Sequence, residues 1–154
     1  MPVRRIDPSP DGGGLRVGIV LSRFNAAVGE GLLAGALRAL TEAGVAEGDI
    51  TVVSVPGALE SALALQQLAQ TDDYDALVAL GAVIRGETYH FEIVSNESAA
   101  GLSSVALEFG IPIGNGILTC ETETQATARM DAKGFEAAQA ALEMANLIVR
   151  LDDD

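Results

Sequence analysis

Residues 76–84 have the sequence Ala-Leu-Val-Ala-Leu-Gly-Ala-Val-Ile, an apolar run without a polar side chain. Such a run is typical of a strand that is covered on both faces, as in a parallel sheet. Three further apolar runs, rich in β-branched residues, lie at residues 15–21, 50–55 and 111–118. None of them alternates cleanly between polar and apolar positions, so the sequence predicts four parallel strands.

Apolar residues at helical spacing fill the segments between and after these runs. Gly44 and Gly110 mark the ends of the first and third helical patterns. The predicted helical segments are residues 28–40, 58–69, 88–109, a short turn at 123–130, and a final helix at 135–149. Arg129 and Lys133 then precede the final helix. Repeated strand–helix alternation predicts an α/β three-layer sandwich with a four-stranded parallel sheet.

The length of 154 residues suits one domain. Proline and glycine are frequent in residues 1–14, which we expect to form an extended N-terminal arm. The single α/β domain is predicted over residues 15–150, and an acidic tail over residues 151–154.

Charge and cysteine content exclude several function classes. Nine basic and 22 acidic residues give a net charge of −13, which argues against binding nucleic acid or an anionic membrane. The single cysteine, Cys120, allows no intrachain disulfide, and we expect it to be a small buried apolar residue in a reducing, cytoplasmic compartment. We expect no signal peptide and no transmembrane helix, because no apolar run reaches about 18 residues.

Ligands of such folds bind beyond the C-terminal ends of the strands, where residues 81–90 are the most informative loop. His90, the only histidine, is predicted in the first helical turn after a strand. Free N–H groups at such a turn favour an anion such as phosphate, and Gly86 permits close approach. From position alone, His90 is equally well explained as a proton-transfer residue or as a surface or capping residue.

Other strand-end residues leave alternatives open. Phe24 could stack on a planar ring, although position alone favours folding back over the core. Glu60 either accepts hydrogen bonds from ligand hydroxyls or complements a helix N-terminus. Arg129 and Lys133 would suit a phosphate, but Lys133 is better explained as solvated surface charge. For Arg23 and Arg85 we expect ion pairs with the many carboxylates.

Five segments together resemble the 6,7-dimethyl-8-ribityllumazine synthase family, which catalyses the penultimate step of riboflavin biosynthesis. The resemblance covers residues 15–149, nearly the whole ordered chain. The segments are SRFN at 22–25, VPGALE at 55–60, GAVIRGETYHFEIVSNES at 81–98, GNGILT at 114–119 and KGFEAAQAALEMANL at 133–147.

This resemblance implies a flavodoxin-like fold and a transferase that condenses 5-amino-6-(D-ribitylamino)uracil with 3,4-dihydroxy-2-butanone 4-phosphate. It implies no metal and no organic cofactor. His90 would transfer protons, Phe24 would stack on the pyrimidine, and Glu60 would bind the ribityl side. The remaining implied substrate residues are Asn25, Ala58, Leu59, Ala82, Val83, Ile84 and Asn115. The implied phosphate-binding residues are Gly86, Glu87, Thr88 and Arg129.

The resemblance also implies a homo-oligomer, which we expect to be a pentamer with sites between adjacent subunits. Its N-terminal arm would add to a neighbour's sheet. Riboflavin synthase is a candidate partner. Two features depart from the family pattern: Asn115 replaces a common aromatic, and the linker at residues 129–134 is short.

The sequence leaves two function classes open. One is an active synthase, which the combination of His90, Arg129 and the Gly86-Glu87-Thr88 turn favours. The other is a binding or shell protein that keeps the fold and the pocket without useful turnover. A generic flavodoxin-like signalling or flavin domain would need an acidic phosphoacceptor cluster or a Ser/Thr-rich phosphate loop after the first strand, and residues 22–25 provide neither.

Overall fold

A computed structural model describes residues 2–153 and contains a four-stranded parallel sheet of order β2-β1-β3-β4. The strands are β1 (Val17–Ser22), β2 (Ile50–Val55), β3 (Ala76–Ile84) and β4 (Ile113–Cys120). The α-helices are α1 (Ala26–Glu42), α2 (Ser61–Gln70), α3 (His90–Phe109) and α4 (Glu123–Asp152). Short 3-10 turns at Glu47–Asp49 and Ala58–Glu60 precede β2 and α2. The predicted four-stranded parallel α/β architecture is confirmed.

The two central strands divide the core between two helical layers. Ile19 and Val78 face a cluster that includes residues of α1 and α4. Val20 and Ala79, their neighbours along β1 and β3, face a second cluster with α2 and α3. Successive side chains of a strand point to opposite faces, so an uninterrupted apolar run suits a strand between two layers.

The strand boundaries differ slightly from the predicted ones. Strand β4 begins at Ile113 instead of residue 111, because Pro112 has no N–H and contributes only its carbonyl, which accepts from the Leu77 N–H at 2.9 Å. Strand β1 begins at Val17 instead of residue 15. The helical pattern over residues 88–109 begins as a helix at His90.

The largest correction concerns the end of the chain. Residues 123–152 form one helix, so the predicted break before residue 135 and the linker at residues 129–134 are wrong. Gly134 lies inside this helix, at the point where it touches α1: a Cβ there would lie 2.0 Å from the Leu32 carbonyl oxygen. The helix also extends through Leu151 and Asp152, into the segment predicted as a tail.

Glycines hold α4 close to both of its neighbours. A Cβ at Gly35 of α1 would lie 2.2 Å from the Asp131 carbonyl oxygen, and one at Gly114 of β4 would lie 2.1 Å from that of Ala137. Such distances leave no room for a side chain. Helix α4 is therefore fixed against α1 on one side and β4 on the other.

Residues 2–12 have no regular secondary structure, and the part nearest the domain lies on the helices of its own chain. The Asn146 side chain donates to the carbonyl oxygens of Ser9 and Asp11, both at 2.8 Å. The Gly12 N–H donates to the Ala43 carbonyl oxygen at 2.8 Å. Met1 and Asp154, the outer ends of the predicted arm and tail, lie outside the described residues.

The contact at Gly134 gives a stability prediction. Gly134→Ala forces the new methyl group against the Leu32 carbonyl, and we expect the free energy of unfolding to fall by about 1–3 kcal/mol. Gly48→Ala is the matched control, because a Cβ there would meet nothing within 4 Å. Urea denaturation of both variants measures the difference, and equal stability of the two would contradict the close contact.

Candidate functional site

A cavity of about 580 Å³, here called cavity A, opens at the C-terminal end of the sheet. Strands β1 and β3 are neighbours in the sheet, but the chain leaves β1 toward the helical layer of α1 and leaves β3 toward the layer of α3. Ligands of parallel α/β folds bind at such a switch point. Cavity A is lined by Phe24, Pro56, Gly57, Ala58, Leu59, Glu60, Val83, Ile84, Gly86, Thr88, His90, Phe91 and Val94.

Phe24 projects from the loop after β1 and is 71% exposed. The alternative that its ring folds back over the core is therefore wrong. Asn25 fixes the turn beside it: its backbone is left-handed, with φ 60°, and its side-chain N–H donates to the Ala82 carbonyl oxygen at 3.0 Å. Asparagine tolerates this conformation better than most residues. Asn25 and Ala82 thus support the wall of cavity A and do not line it.

The loop after β2 forms a second wall. Gly57 is extended, with φ −154°, and leads into the 3-10 turn over Ala58–Glu60. Leu59 is 42% exposed and lines cavity A. Glu60 is exposed at the N-terminus of α2, but its side chain caps no helical N–H. Its carboxylate is therefore available to accept hydrogen bonds from a ligand.

The turn between β3 and α3 forms the third wall. The N–H groups of Glu87, Thr88 and Tyr89 make no hydrogen bond within residues 2–153, and Gly86 has open space where a Cβ would be. Unpaired N–H groups just before a helix are suited to an anion. Gly86 and Thr88 line cavity A, whereas Glu87 is exposed beside it.

His90 is the first residue of α3 and lines cavity A. Its backbone N–H lies 3.4 Å from the Thr88 hydroxyl oxygen, so the first turn is partly capped by that side chain. The imidazole is exposed and has no hydrogen-bond partner within the described chain. Both ring nitrogens are thus available to a ligand in the cavity.

Arg85 connects this turn to the next strand. Its Nε donates to Glu121 Oε2 at 2.6 Å, its Nη1 donates to Glu92 Oε1, and its guanidinium lies over Phe91, 4.4 Å from the ring centroid. The hydrogen bonds to Glu92 and then Glu121 raise the pKa of Arg85 above its ordinary value. The bond from Arg85 lowers the pKa of Glu92. The expected ion pairs are confirmed for Arg85; Arg23 instead donates to the Ser54 hydroxyl at 3.3 Å.

A second cavity of about 530 Å³, cavity B, lies between β4 and α4, and no residue lines both cavities. Arg129 and Lys133 stand one helical turn apart in it, and the Arg129 Nη1 donates to the Gln125 carbonyl oxygen at 3.0 Å. Lys133 is half-buried, so it is not the fully solvated surface charge that its position suggested. Cavity B is lined by Ile117, Leu118, Thr119, Cys120, Gln125, Ala128, Arg129, Ala132, Lys133 and Glu136.

Asn115 lines neither cavity. It is exposed on β4, an edge strand, and its Oδ1 accepts from the Ile117 N–H at 3.0 Å. The acceptor atom of the side chain is thus used within the strand, and the Nδ2 group remains a donor toward solvent. Cys120 is buried, as expected, with its thiol free.

The structure therefore gathers nine of the predicted site residues in cavity A and places Arg129 in cavity B. Asn25, Ala82, Glu87 and Asn115 lie outside both linings. The sequence-based prediction missed Phe91 and Val94, whose signal is their position one residue and one helical turn after His90. It also missed Pro56 and Gly57, which directly precede predicted site residues.

Two features are absent from residues 2–153: a candidate metal site and a helix that could span a membrane. No group of three or more His, Cys, Asp or Glu side chains is arranged to hold a metal ion there. No helix in that part of the chain is long and apolar enough to cross a membrane.

Comparisons with known proteins give one consistent result. Residues 14–149 match the family model for 6,7-dimethyl-8-ribityllumazine synthase. The enzyme of that name from Nitrosomonas europaea is 60% identical over 98% of this chain and 92% of its own length. Those from Nitrosospira multiformis and Paraburkholderia phymatum are 57% and 56% identical, over 98% and 99% of this chain and 94% and 88% of their own.

Proposed function

This chain belongs to the 6,7-dimethyl-8-ribityllumazine synthase family, and we propose that its two cavities divide the work of the family's reaction. The enzyme is a transferase of riboflavin biosynthesis. It condenses 5-amino-6-(D-ribitylamino)uracil with 3,4-dihydroxy-2-butanone 4-phosphate, and it releases lumazine, phosphate and two waters. The amine and the ketone form an imine, phosphate is eliminated, and the ring closes with loss of the second water.

The observation that carries the proposal is the composition of cavity A, in which an exposed aromatic ring, an anion-suited turn and the only histidine meet. The Phe24 ring stacks on the pyrimidine, and the backbone of residues 82–84 borders it. Glu60 accepts hydrogen bonds from the ribityl hydroxyls, next to Ala58 and Leu59. The N–H groups at residues 86–88 bind the phosphate of the second substrate.

His90 moves the protons that the reaction requires. Imine formation, phosphate elimination and ring closure each transfer a proton to or from the substrates, and an imidazole can give and take protons near neutral pH. Its imidazole is free of partners within residues 2–153, which suits this shuttling role. Since both substrates are already reactive, most of the acceleration comes from holding them in the reacting geometry.

Cavity B supplies the cations of the site. Arg129 pairs with the substrate phosphate, and Lys133, one turn further along α4, adds a second positive charge nearby. Because no residue lines both cavities, we infer that cavity B of one subunit completes cavity A of an adjacent subunit. Asn115, exposed on β4, belongs to the same contributed face, where its Nδ2 can donate to the substrate.

A head-to-tail contact forms a closed ring when its rotation divides a full turn evenly, and the ring we propose is a pentamer. The buried free thiol of Cys120 suits the reducing cytoplasm, which we propose as the compartment. Riboflavin synthase, the enzyme of the last step, remains a candidate partner.

The proposed phosphate contact gives the first test. In Arg129→Ala, we expect the KM for the butanone phosphate to rise about tenfold or more, because charge-assisted hydrogen bonds contribute about 1.5–3 kcal/mol. The KM for the pyrimidine substrate should stay within about twofold. Steady-state assays of lumazine absorbance measure both constants.

Arg16→Ala is the charge-matched control, since Arg16 pairs with Asp49 and lines neither cavity. Its KM values should match those of the unmodified enzyme. Lumazine binding without turnover by the unmodified protein would contradict the proposed function and favour the binding or shell protein.

A second prediction concerns His90. His90→Ala should slow turnover by at most about 10²–10⁴-fold, the range of general acid–base effects, and leave activity well above the uncatalysed reaction. Single-turnover assays with both substrates saturating measure this residual rate. Complete loss of catalysis in a folded variant that still binds both substrates would show that positioning alone contributes little.

A further inference from the structure

Arg85 contacts both strand β4 and helix α3, which a solvated surface charge would not do. Its backbone N–H donates to the Cys120 carbonyl oxygen at 2.9 Å, which extends the pairing of β3 with β4. Its side chain reaches Glu121 just beyond β4 and Glu92 in the first turn of α3. The guanidinium also covers the ring of Phe91. Arg85 therefore holds the start of α3 to the end of β4.

The element that Arg85 holds is the one that carries the chemistry. Phe91 and Glu92 directly follow His90, and Phe91 lines cavity A. The His90 imidazole has no partner of its own within residues 2–153, so its position depends on the first turn of α3. The turn at residues 86–88 is exposed, and a Cβ added at Gly86 would meet nothing within 4 Å, so local packing does little to hold that turn in place.

The contact of Arg85 with Glu121 leads toward cavity B. The Glu121 N–H donates to the Gln125 side-chain oxygen at 2.8 Å, and the carbonyl of Gln125 accepts from Arg129 at 3.0 Å. Gln125 and Arg129 both line cavity B. A short chain of contacts thus runs from the start of α3 to the cationic wall of the other cavity.

We propose that Arg85 is a positioning residue, which fixes the phosphate-binding turn and His90 relative to the other residues of cavity A. It is not itself the phosphate ligand, because its charge is already matched by Glu92 and Glu121 and its face is covered by Phe91. This inference rests on the proposed function, since it concerns the butanone phosphate subsite of cavity A.

The chain offers a matched control for this arginine. Arg38 also pairs with a carboxylate, Asp131, at 2.6 Å, and its guanidinium lies over Phe135, 4.6 Å from the ring centroid. Neither Arg38 nor Asp131 lines a cavity of the proposed site. Arg38→Gln therefore removes the same kinds of interaction at a place that lines neither cavity.

The experiment compares steady-state constants and thermal stability of Arg85→Gln, Arg85→Lys and Arg38→Gln. In Arg85→Gln we expect the KM for the butanone phosphate to rise about five- to tenfold and kcat to fall several-fold, because small misplacements weaken catalysis strongly. The KM for the pyrimidine substrate should change by less than about twofold, since Phe24 and Glu60 stand on other elements. Arg85→Lys should rescue only part of the loss, because one ammonium cannot bridge both carboxylates and cover the ring.

Glu121→Gln separates positioning from direct binding. Removing a negative charge beside an anion site would by itself lower the KM for the phosphate substrate, and it would free Arg85 if Arg85 were a ligand. Positioning predicts the opposite sign, a raised KM, because an uncharged Gln side chain holds the Arg85 Nε–H more weakly than the Glu121 carboxylate does. This variant also keeps the inference testable if Arg85→Gln fails to fold.

Turnover by the unmodified enzyme tests the proposed function separately from this inference. Given that turnover, three results would overturn the role of Arg85: an unchanged KM for the butanone phosphate in Arg85→Gln, the same kinetic change in Arg38→Gln, or a lowered KM in Glu121→Gln. A raised KM in both site variants, with Arg38→Gln kinetically unchanged, supports it.

Discussion

Helix α4 is held against β4 and α1 by backbone contacts that leave no space for a side chain at Gly35, Gly114 or Gly134. Close contact of this kind sets the position of the helix, because any added methyl group would separate the layers. Arg129 and Lys133 extend from the same helix, on the side that borders cavity B. The placement of the proposed cationic half of the site therefore depends on three glycines where no side chain fits.

The position of cavity A is determined by the sheet and not by α4. Because all four strands are parallel, their following loops emerge at one end, and the order β2-β1-β3-β4 brings the loops after β1, β2 and β3 around one opening. Each loop contributes a different chemical group: Phe24 a ring, Glu60 a carboxylate, and the turn before α3 unpaired N–H groups with His90. The loop after β4 leads to α4, and the cations of that helix, Arg129 and Lys133, line cavity B.

The sequence predicted the features that depend on local pattern. The apolar run at residues 76–84 predicted the central strand, and the helical stripe after Phe24 predicted α1, since both patterns follow from two-sided and one-sided burial. The prediction divided α4 into a turn at 123–130 and a helix at 135–149, whereas the structure joins them in one helix. Gly134, between the two segments, admits the neighbouring α1 and does not end the helix. The partners of Arg85 could not be named either: Glu121 lies 36 positions away, and only the pairing of β3 with β4 brings it near.

Division of one active site between two subunits is the central claim, and subunit mixing tests it most directly. His90→Ala damages cavity A and Arg129→Ala damages cavity B, so random co-assembly of equal amounts should leave about one quarter of the sites with two intact halves. We predict that co-expressed variants recover about that share of unmodified activity at low butanone phosphate, well above either variant alone. Activity of the mixture equal to the average of the two variants would contradict the account, because each site would then be built within one chain.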